Sequence, residues 1–194
     1  DLNIGDFAIL PLEIPITSSL EMEDARMIGW MIGDGSYGID KTPRLSNCEE
    51  EINKFVEENY DTVLERSYIT KEGKLYKETR IKNFTKRLRE LGIFGQVKLQ
   101  KRLPKNIHSY SKKSICEFLG GLFDTDGYIA KNRAYINITQ ANKEILLEIQ
   151  LLLHRIGVYS AIRVVHPNPK NPKDKNDYYI LSIRDIRSIK NFHE

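Results

Sequence analysis

The segments MIGWMIGDG (residues 27–35) and LGGLFDTDG (residues 119–127) are two versions of one motif. Each has apolar residues at helical spacing, a glycine six positions before its last residue, and an aspartate just before that residue. The aspartates are Asp34 and Asp126, which lie 92 positions apart. Because small residues let two helices approach closely, we predict that the segments form paired helices whose C-terminal ends bring the two carboxylates together.

Two carboxylates at helix C-termini would repel each other and the helix carbonyl groups, because that end of each helix dipole is negative. A divalent cation would compensate this charge. Since no His or Cys adjoins either aspartate, an oxygen-only site for Mg²⁺, with Mn²⁺ as a substitute, is favoured over zinc. The alternative is that each Asp-Gly pair only ends a helix with a turn, an interpretation favoured for one copy and not for two.

The doubled motif resembles the LAGLIDADG signature of homing endonucleases, in the two-motif, single-chain form encoded within inteins or archaeal introns. The resemblance implies site-specific, metal-dependent hydrolysis of double-stranded DNA across the minor groove of a long asymmetric target. It also implies that Asp34 and Asp126 are catalytic metal ligands, with the backbone carbonyls of Gly33 and Thr125 as further ligands.

A catalytic lysine is also implied by the resemblance. The segment KLQKRLPKNI (residues 98–107) is similar to the Lys-x-x-Pro element of the family, which points to Lys101, with Lys98 as the reserve choice. The alternative is that Lys101 only contacts backbone phosphate. The corresponding lysine of the second half is expected beyond residue 194, so we expect that half to be incomplete at its C-terminal end.

The composition is typical of a soluble globular protein, with 194 residues, 40% hydrophobic and 29% charged. No apolar stretch approaches the roughly 20 residues of a membrane span, and no secretory signal is visible, so we expect an intracellular protein, cytoplasmic or nucleoid-associated. Residues 62–113 hold 15 Lys and Arg against 4 Asp and Glu, a net charge of +11. This basic stretch predicts a surface that follows DNA phosphates, and a solvated charged face is the alternative.

The same order of elements follows each motif, which indicates a duplicated unit. In the first half, apolar residues at helical spacing over 52–63 predict a helix, and residues 67–80 predict two strands. Candidate caps for the motif helices are Ser18 for the first and Ser114 for the second, with Ser111 as the alternative to Ser114.

We therefore predict an α+β protein made of two αββαββα units related by pseudo-two-fold symmetry, each with a curved antiparallel sheet, and with the motif helices at the joint. The predicted parts are an N-terminal leader (1–18), a first half-domain (19–97), a connecting segment (98–110) and a second half-domain (111–194). We expect the protein to be a monomer.

Strands that bury one face present polar side chains at every second position on the other, which suits them to contact DNA. The predicted DNA-binding residues are Tyr37, Lys41, Arg44, Tyr76, Lys77, Arg80 and Lys98 in the first half and connection, and Lys131, Arg133, Tyr135, Asn137, Thr139, Arg163 and Tyr179 in the second half. A shift of one residue in register would move every strand side chain to the opposite face.

Two other functions fit parts of the sequence. Proteins with this fold also act without cleavage, as RNA maturases or transcription regulators, but the retained Asp34, Asp126 and Lys101 favour cleavage. In addition, FDTDGY (residues 123–128) resembles the nucleophile motif of haloacid dehalogenase-like phosphatases, whose Asp-x-Asp follows a buried strand.

Overall fold

The computed structural model describes residues 14–38, 42–130, 134–167 and 176–193. Within these ranges the protein is α+β, as predicted, with six α-helices and two four-stranded antiparallel sheets. The first half contains α1 (Ala25–Asp34), β1 (Gly35–Ser36), β2 (Arg44–Asn47), α2 (Glu50–Asn59), β3 (Thr62–Ile69), β4 (Leu75–Ile81) and α3 (Phe84–Glu90). The second half contains α4 (Lys112–Asp126), β5 (Gly127–Ile129), β6 (Ile136–Gln140), α5 (Lys143–Arg155), β7 (Ala161–Val165), β8 (Tyr178–Ile183) and α6 (Ile186–His193). Two 3-10 turns, Lys98–Gln100 and Ile107–Ser109, lie between the halves.

Both sheets have the same strand order, β1-β2-β4-β3 in the first half and β5-β6-β8-β7 in the second. Side chains alternate between a buried and an open face: Leu45 of β2 and Ile138 of β6 are buried, while their neighbours Arg44 and Asn137 are partly exposed. Each half therefore has one sheet face that packs on the core and one face that is free of it.

The motif helices α1 and α4 pack against each other through the glycines that the sequence indicated. A Cβ added to Gly29 would lie 2.7 Å from Leu122 N, and one added to Gly121 would lie 3.0 Å from the carbonyl carbon of Arg26. Both distances are too short for a side chain. The predicted close approach of the two helices is confirmed, and it places their C-terminal ends side by side.

Asp124 ties the two helices together by polar contacts. Its Oδ2 accepts hydrogen bonds from Arg26 Nη2 at 2.9 Å and from Trp30 Nε1 at 3.0 Å. The corresponding position of the first motif is Ile32, which is buried in the core. The middle acid of the second motif therefore serves helix packing, which explains why only one copy needs it.

The helix starts differ in part from the prediction. Ser111, the alternative candidate, caps α4 and accepts a hydrogen bond from Ser114 N at 3.2 Å. The prediction of Ser18 as the cap of α1 is wrong, because α1 begins only after Asp24, whose φ of 59° starts the helix from a left-handed residue. The Ser18 hydroxyl instead donates to Ser109 O at 2.6 Å.

The boundary between α2 and β3 also lies earlier than predicted. Tyr60 ends the helix with extended backbone, at φ −129° and ψ 152°, and Val63 pairs with Arg80 in the sheet. Two β-branched residues, Thr62 and Val63, favour a strand at this point. The apolar spacing that suggested a helix up to residue 63 thus spans a helix end and a strand start.

The second motif ends α4 and leads into β5, so its Asp-x-Asp does not follow a buried strand. This removes the structural context that a haloacid dehalogenase-like phosphatase requires. Among the described residues, no helix combines the length and the apolar character needed to cross a membrane.

Candidate metal centre and nucleic-acid interface

Asp34 and Asp126 are the last residues of α1 and α4, and each receives one short hydrogen bond from an amide side chain. Asn47 Nδ2 donates to Asp34 Oδ2 at 2.6 Å, and Gln140 Nε2 donates to Asp126 Oδ2 at 2.6 Å. Asn47 ends β2 and Gln140 ends β6, so the two amides hold the same place in the two halves. Each amide fixes the orientation of its carboxylate.

The two carboxylates come close together across the helix pair. A Cβ added to Gly33 would lie 3.4 Å from the carboxyl carbon of Asp126 and within van der Waals overlap of the Thr125 side chain. The resemblance implied the backbone carbonyls of Gly33 and Thr125 as further metal ligands, and the structure places these two residues next to each other, with Asp126 beside them. The Thr125 hydroxyl donates to Leu122 O at 3.0 Å.

The Lys101 ammonium lies at the C-terminal end of α1. Nζ donates to the backbone oxygens of Ile32 at 2.6 Å, Gly33 at 2.9 Å and Gly35 at 3.0 Å. The oxygens of Ile32 and Gly33 belong to the last turn of α1 and carry the negative end of its dipole, which favours a cation. The ammonium is therefore hydrogen-bonded to the carbonyl oxygen of Gly33, which the family resemblance implies as a metal ligand.

The main chain around Lys101 is held by the second half of the molecule. Asn142 Nδ2 donates to Lys101 O at 2.9 Å. Glu148 accepts from Arg102 Nε at 2.9 Å and from Leu103 N at 3.0 Å. Lys101 thus lies between α3 and α4. Its main chain and that of the next residues are held by Asn142, the N-cap of α5, and by Glu148 of α5, while its ammonium binds the end of α1.

The electrostatics of the site reflect burial and charge crowding. Burial and, next, the negative charge of Asp34 together raise the pKa of Asp126 to about 6, against the opposing effects of Lys101 and the Gln140 hydrogen bond. Burial also raises the pKa of Asp34. Burial lowers the pKa of Lys101, although both carboxylates favour its charged form. The two acids and the lysine therefore form one coupled group with an excess of negative charge.

Tyr37 lies inside this site and not on the DNA-facing surface for which the sequence nominated it. Its side chain is 1% exposed, and the Lys101 ammonium lies 5.4 Å from the centre of its ring. Burial raises the pKa of Tyr37, and Asp126 adds to this increase. Because β1 contains only two residues, the chain has left the sheet by residue 37, and the ring turns into the core.

The donor set fits a hard divalent cation. Two carboxylates and several helix-end carbonyl oxygens meet where an ammonium already binds, so the site attracts positive charge and offers only oxygen ligands. No cluster of three or more His, Cys, Asp or Glu suited to a metal occurs in the described part of the chain. A cation bound here would keep much of its coordination shell as water, which Mg²⁺ does readily.

In the first half, the predicted DNA-binding residues divide between the two faces of the sheet. Arg44 of β2 pairs directly with Arg80 of β4, and Tyr76 lies on the same open face by the two-residue period of the strand. Lys77 lies on the opposite, helix-covered face, where its Nζ is 2.5 Å from Glu57 of α2. The assignment of Lys77 to the open face is therefore wrong, because adjacent strand residues cannot share a face.

In the second half, Asn137 and Thr139 of β6 and Arg163 of β7 share the open face. Tyr135 extends it, with its ring 6.5 Å from the ring of Tyr128. The nomination of Tyr179 is wrong, since this residue pairs with Gln140 and packs against the hydrophobic core.

Lys98 is exposed on the 3-10 turn before Lys101. Lys41, Lys131 and Arg133 lie outside the described residues.

Sequence reasoning missed the two amides that bind the aspartates. A signal was available: Asn47 follows Asp34 by 13 residues and Gln140 follows Asp126 by 14, each at the end of the strand before a helix. These amides reach the aspartates only because β2 pairs antiparallel with β1, and β6 with β5. No local sequence pattern shows this pairing.

Comparison with known proteins agrees with this geometry. Residues 113–194 match the family model described as the LAGLIDADG-like domain. The match lies in the second half of the chain, and this type of domain is found in homing endonucleases and related DNA-binding proteins.

Similar segments occur within several larger proteins. The chain is 32% identical to part of the ATP-dependent DNA helicase Hel308 of Methanocaldococcus jannaschii, over 100% of this chain and 17% of that protein. It is 26% identical to part of the glutamine–fructose-6-phosphate aminotransferase of the same organism, over 94% of the chain and 16% of that protein. It is also 26% identical to part of the replicative DNA helicase DnaB of a Nostoc species, over 93% of the chain and 22% of that protein. The chain thus spans less than a quarter of these relatives.

Proposed function

We propose that this chain is a site-specific endonuclease that hydrolyses double-stranded DNA across the minor groove of a long asymmetric target, with Mg²⁺ or Mn²⁺ as cofactor. The observation that supports this proposal is the pair of helix-end carboxylates beside one lysine ammonium. Phosphodiester hydrolysis needs a charged, oxygen-rich centre of this kind next to the scissile phosphate. The basic stretch and the open sheet faces offer the extended contact surface that a long duplex requires.

Each residue of the site has a distinct role in this proposal. Asp34 and Asp126, with the carbonyls of Gly33 and Thr125, would hold the metal, which when bound would activate water and neutralise charge on the phosphate. Lys101 holds a positive charge where the phosphate gains negative charge in the transition state. The hydrogen bond from Asn142, the N-cap residue of α5, to Lys101 O fixes the main chain from which this charge extends.

Asn47 and Gln140 orient the two carboxylates, as positioning residues. Each amide binds one carboxylate oxygen at 2.6 Å and so restricts rotation of the group. A carboxylate held in one orientation loses less entropy when it binds a cation, which strengthens the site.

The relatives support an origin as an inserted element. A DNA helicase and an aminotransferase have no common activity in their names, yet each contains a segment that matches more than nine tenths of this chain. We infer that the shared segment has an activity of its own and is carried within unrelated proteins, as an intein endonuclease is. We also propose that residues 19–97 and 111–194 act as two half-domains of one monomer, related by pseudo-two-fold symmetry.

Selection of cleaved sites from a randomised duplex library in Mg²⁺ tests the proposal, with EDTA as the metal-free control. Asp34→Asn and Asp126→Asn should each abolish cleavage and leave DNA binding intact or slightly tighter, because a negative charge near phosphate has been removed. Asp61→Asn is the matched control, since Asp61 is exposed and pairs with Lys82 away from the site.

Two outcomes would contradict the proposal. Sequence-specific binding without strand scission by the wild-type protein would indicate a regulator or maturase. Joint loss of folding and binding in both aspartate variants, but not in Asp61→Asn, would show that the acids are structural.

A further inference from the structure

Two arginines face each other on the open face of the first sheet. Arg44 of β2 and Arg80 of β4 are directly opposite in the antiparallel ladder, a position in which like charges destabilise a sheet. Their side chains are 27% and 39% exposed, so both are accessible to a ligand that lies along this face. A structural arrangement of this kind needs a compensating group.

Glu65 of β3 is that group. Its carboxylate forms an ion pair with Arg44 Nε through Oε2, and its Oε1 lies 3.3 Å from Arg80 Nε. Glu78 is the second charge partner of Arg44, at the longer distance of 3.9 Å. Each guanidinium therefore has its Nε within ion-pair distance of the same carboxylate, although neither buried Nε has a hydrogen-bond partner in the described part of the chain. Among the described residues, no hydrogen bond engages the terminal nitrogens of either arginine, which leaves their donors available to a ligand.

A β-bulge positions Glu65 for this task. Leu64 pairs with Thr79 and Arg66 pairs with Glu78, so Glu65 is the extra residue in the ladder between β3 and β4. A bulge redirects one side chain and is frequent next to functional sites. In the second half, the ladder between β7 and β8 runs from Ala161 to Val165 without a register shift. Among the described residues, the corresponding ladder of the second half thus has no such bulge.

The chemistry of this cluster matches guanine. An arginine whose terminal nitrogens are free to donate can form two hydrogen bonds to O6 and N7 of guanine in the major groove, which is the commonest specific protein contact to a base. Neighbouring strands are about 4.8 Å apart, and successive bases on one DNA strand rise by about 3.4 Å. Two arginines on adjacent strands can therefore reach adjacent base pairs.

We propose that Arg44 and Arg80, aligned by Glu65, form a specificity-determining cluster that binds guanine at adjacent base pairs in the half-site contacted by the first half of the protein. This inference rests on the proposed function, because it requires duplex DNA along the open face. Arg44 and Arg80 contact the bases, and Glu65 is a positioning residue that acts through them.

Binding selection from a randomised duplex library in EDTA tests the cluster independently of cleavage. Wild-type protein should enrich guanine at two adjacent positions, by about 5- to 150-fold for each well-formed arginine–guanine pair. Arg44→Lys keeps the charge but lacks the planar fork, so guanine preference should fall at one position while affinity for random duplex stays unchanged. Arg80→Lys should act in the same way at the other position.

Glu65→Gln separates alignment from charge neutralisation. Removal of one negative charge should leave random-duplex affinity equal or higher, whereas guanine preference should fall at both positions together. Glu57→Gln is the matched control: it removes the same charge from an ion pair with Lys77 on the opposite face of the sheet, and it should leave guanine preference unchanged.

The outcomes distinguish this inference from the proposed function. Binding without any guanine preference that depends on Arg44 or Arg80 overturns the cluster alone. Full guanine preference in Glu65→Gln, with loss in Arg44→Lys, overturns the positioning role of Glu65. If wild-type protein binds no duplex at all, both the endonuclease function and this inference are wrong.

Discussion

Replacement of Lys101 with Met should slow DNA cleavage by about 30- to 1,000-fold. The ammonium donates to three carbonyl oxygens at 2.6, 2.9 and 3.0 Å and interacts with both Asp34 and Asp126. Methionine keeps a long unbranched side chain and removes only the charge and its hydrogen bonds. A preorganised positive donor beside a developing negative charge contributes roughly 2–4 kcal/mol to transition-state stabilisation, and each 1.36 kcal/mol is a factor of about ten in rate.

The same substitution should have the opposite effect on metal binding without DNA. In the wild-type protein the ammonium occupies Gly33 O, so an incoming Mn²⁺ meets a cation at one of its proposed ligands. Lys101→Met removes that competitor and should bind Mn²⁺ at least as tightly as wild type in calorimetric titration. Single-turnover cleavage on end-labelled duplex measures the rate, so the two experiments separate catalysis from occupancy of the site.

Lys98→Met is the matched control, because Lys98 lies three residues earlier on an exposed 3-10 turn. This variant should cleave at nearly the wild-type rate and lose at most about one phosphate contact, seen as a shallower salt dependence of binding. Wild-type cleavage by Lys101→Met would refute the catalytic role. Equal losses in both lysine variants, with equally reduced salt dependence, would show that Lys101 only contacts phosphate.

Three further predictions follow from the contacts of the motif helices. Strand-resolved gels should show that Lys101→Met slows the cleavage of one DNA strand more than that of the other, because the ammonium binds the carbonyl oxygens of α1 and not those of α4. Gly29→Ala should lower the free energy of unfolding in urea by about 2 kcal/mol or more, because its Cβ would overlap the backbone of α4. Gly120→Ala, whose Cβ would lie 3.6 Å from the nearest atom, should be neutral or slightly stabilising. Asp126→Asn should be more stable than wild type above pH 6, by up to about 3 kcal/mol without metal. This gain should vanish as pH falls toward 4, because a folded-state pKa raised to about 6 makes the ionised form costly; a pH-independent difference would contradict it.

The sequence predicted the backbone of this protein more completely than its surface. Gly29 and Gly121 appear in a repeated pattern, and their small size has one consequence, the close helix pair that the structure confirms. The open sheet faces depend on strand parity, which a single misplaced boundary inverts. The predictions that Lys77 and Tyr179 contact DNA are wrong for this reason, because both side chains lie on the face of their strand that packs on the core. The prediction that Tyr37 contacts DNA is wrong because β1 ends at Ser36 and the Tyr37 side chain lies in the core.

Glu65 could not be found from any local pattern. It is one of several acids in a basic stretch, and its importance arises only from a bulge that the pairing of β3 with β4 creates. A register shift is a property of two strands together, so neither strand contains the signal alone. The same holds for Asn47 and Gln140, which reach the aspartates only after the hairpin has closed.

The aspartates and the amides that bind them occur in both halves, whereas Lys101 comes from a single segment between the halves. The aspartates and their amides occur twice, because each follows from one helix and one hairpin that both halves contain. Lys101 comes from the segment that follows the first half, and the corresponding lysine of the second half is expected beyond residue 194. The Lys101 ammonium therefore lies at the end of α1, although it interacts with the carboxylates of both motif helices. The two carboxylates are held alike, but this ammonium reaches them from one side, so we expect Lys101→Met to slow the cleavage of one DNA strand more than that of the other.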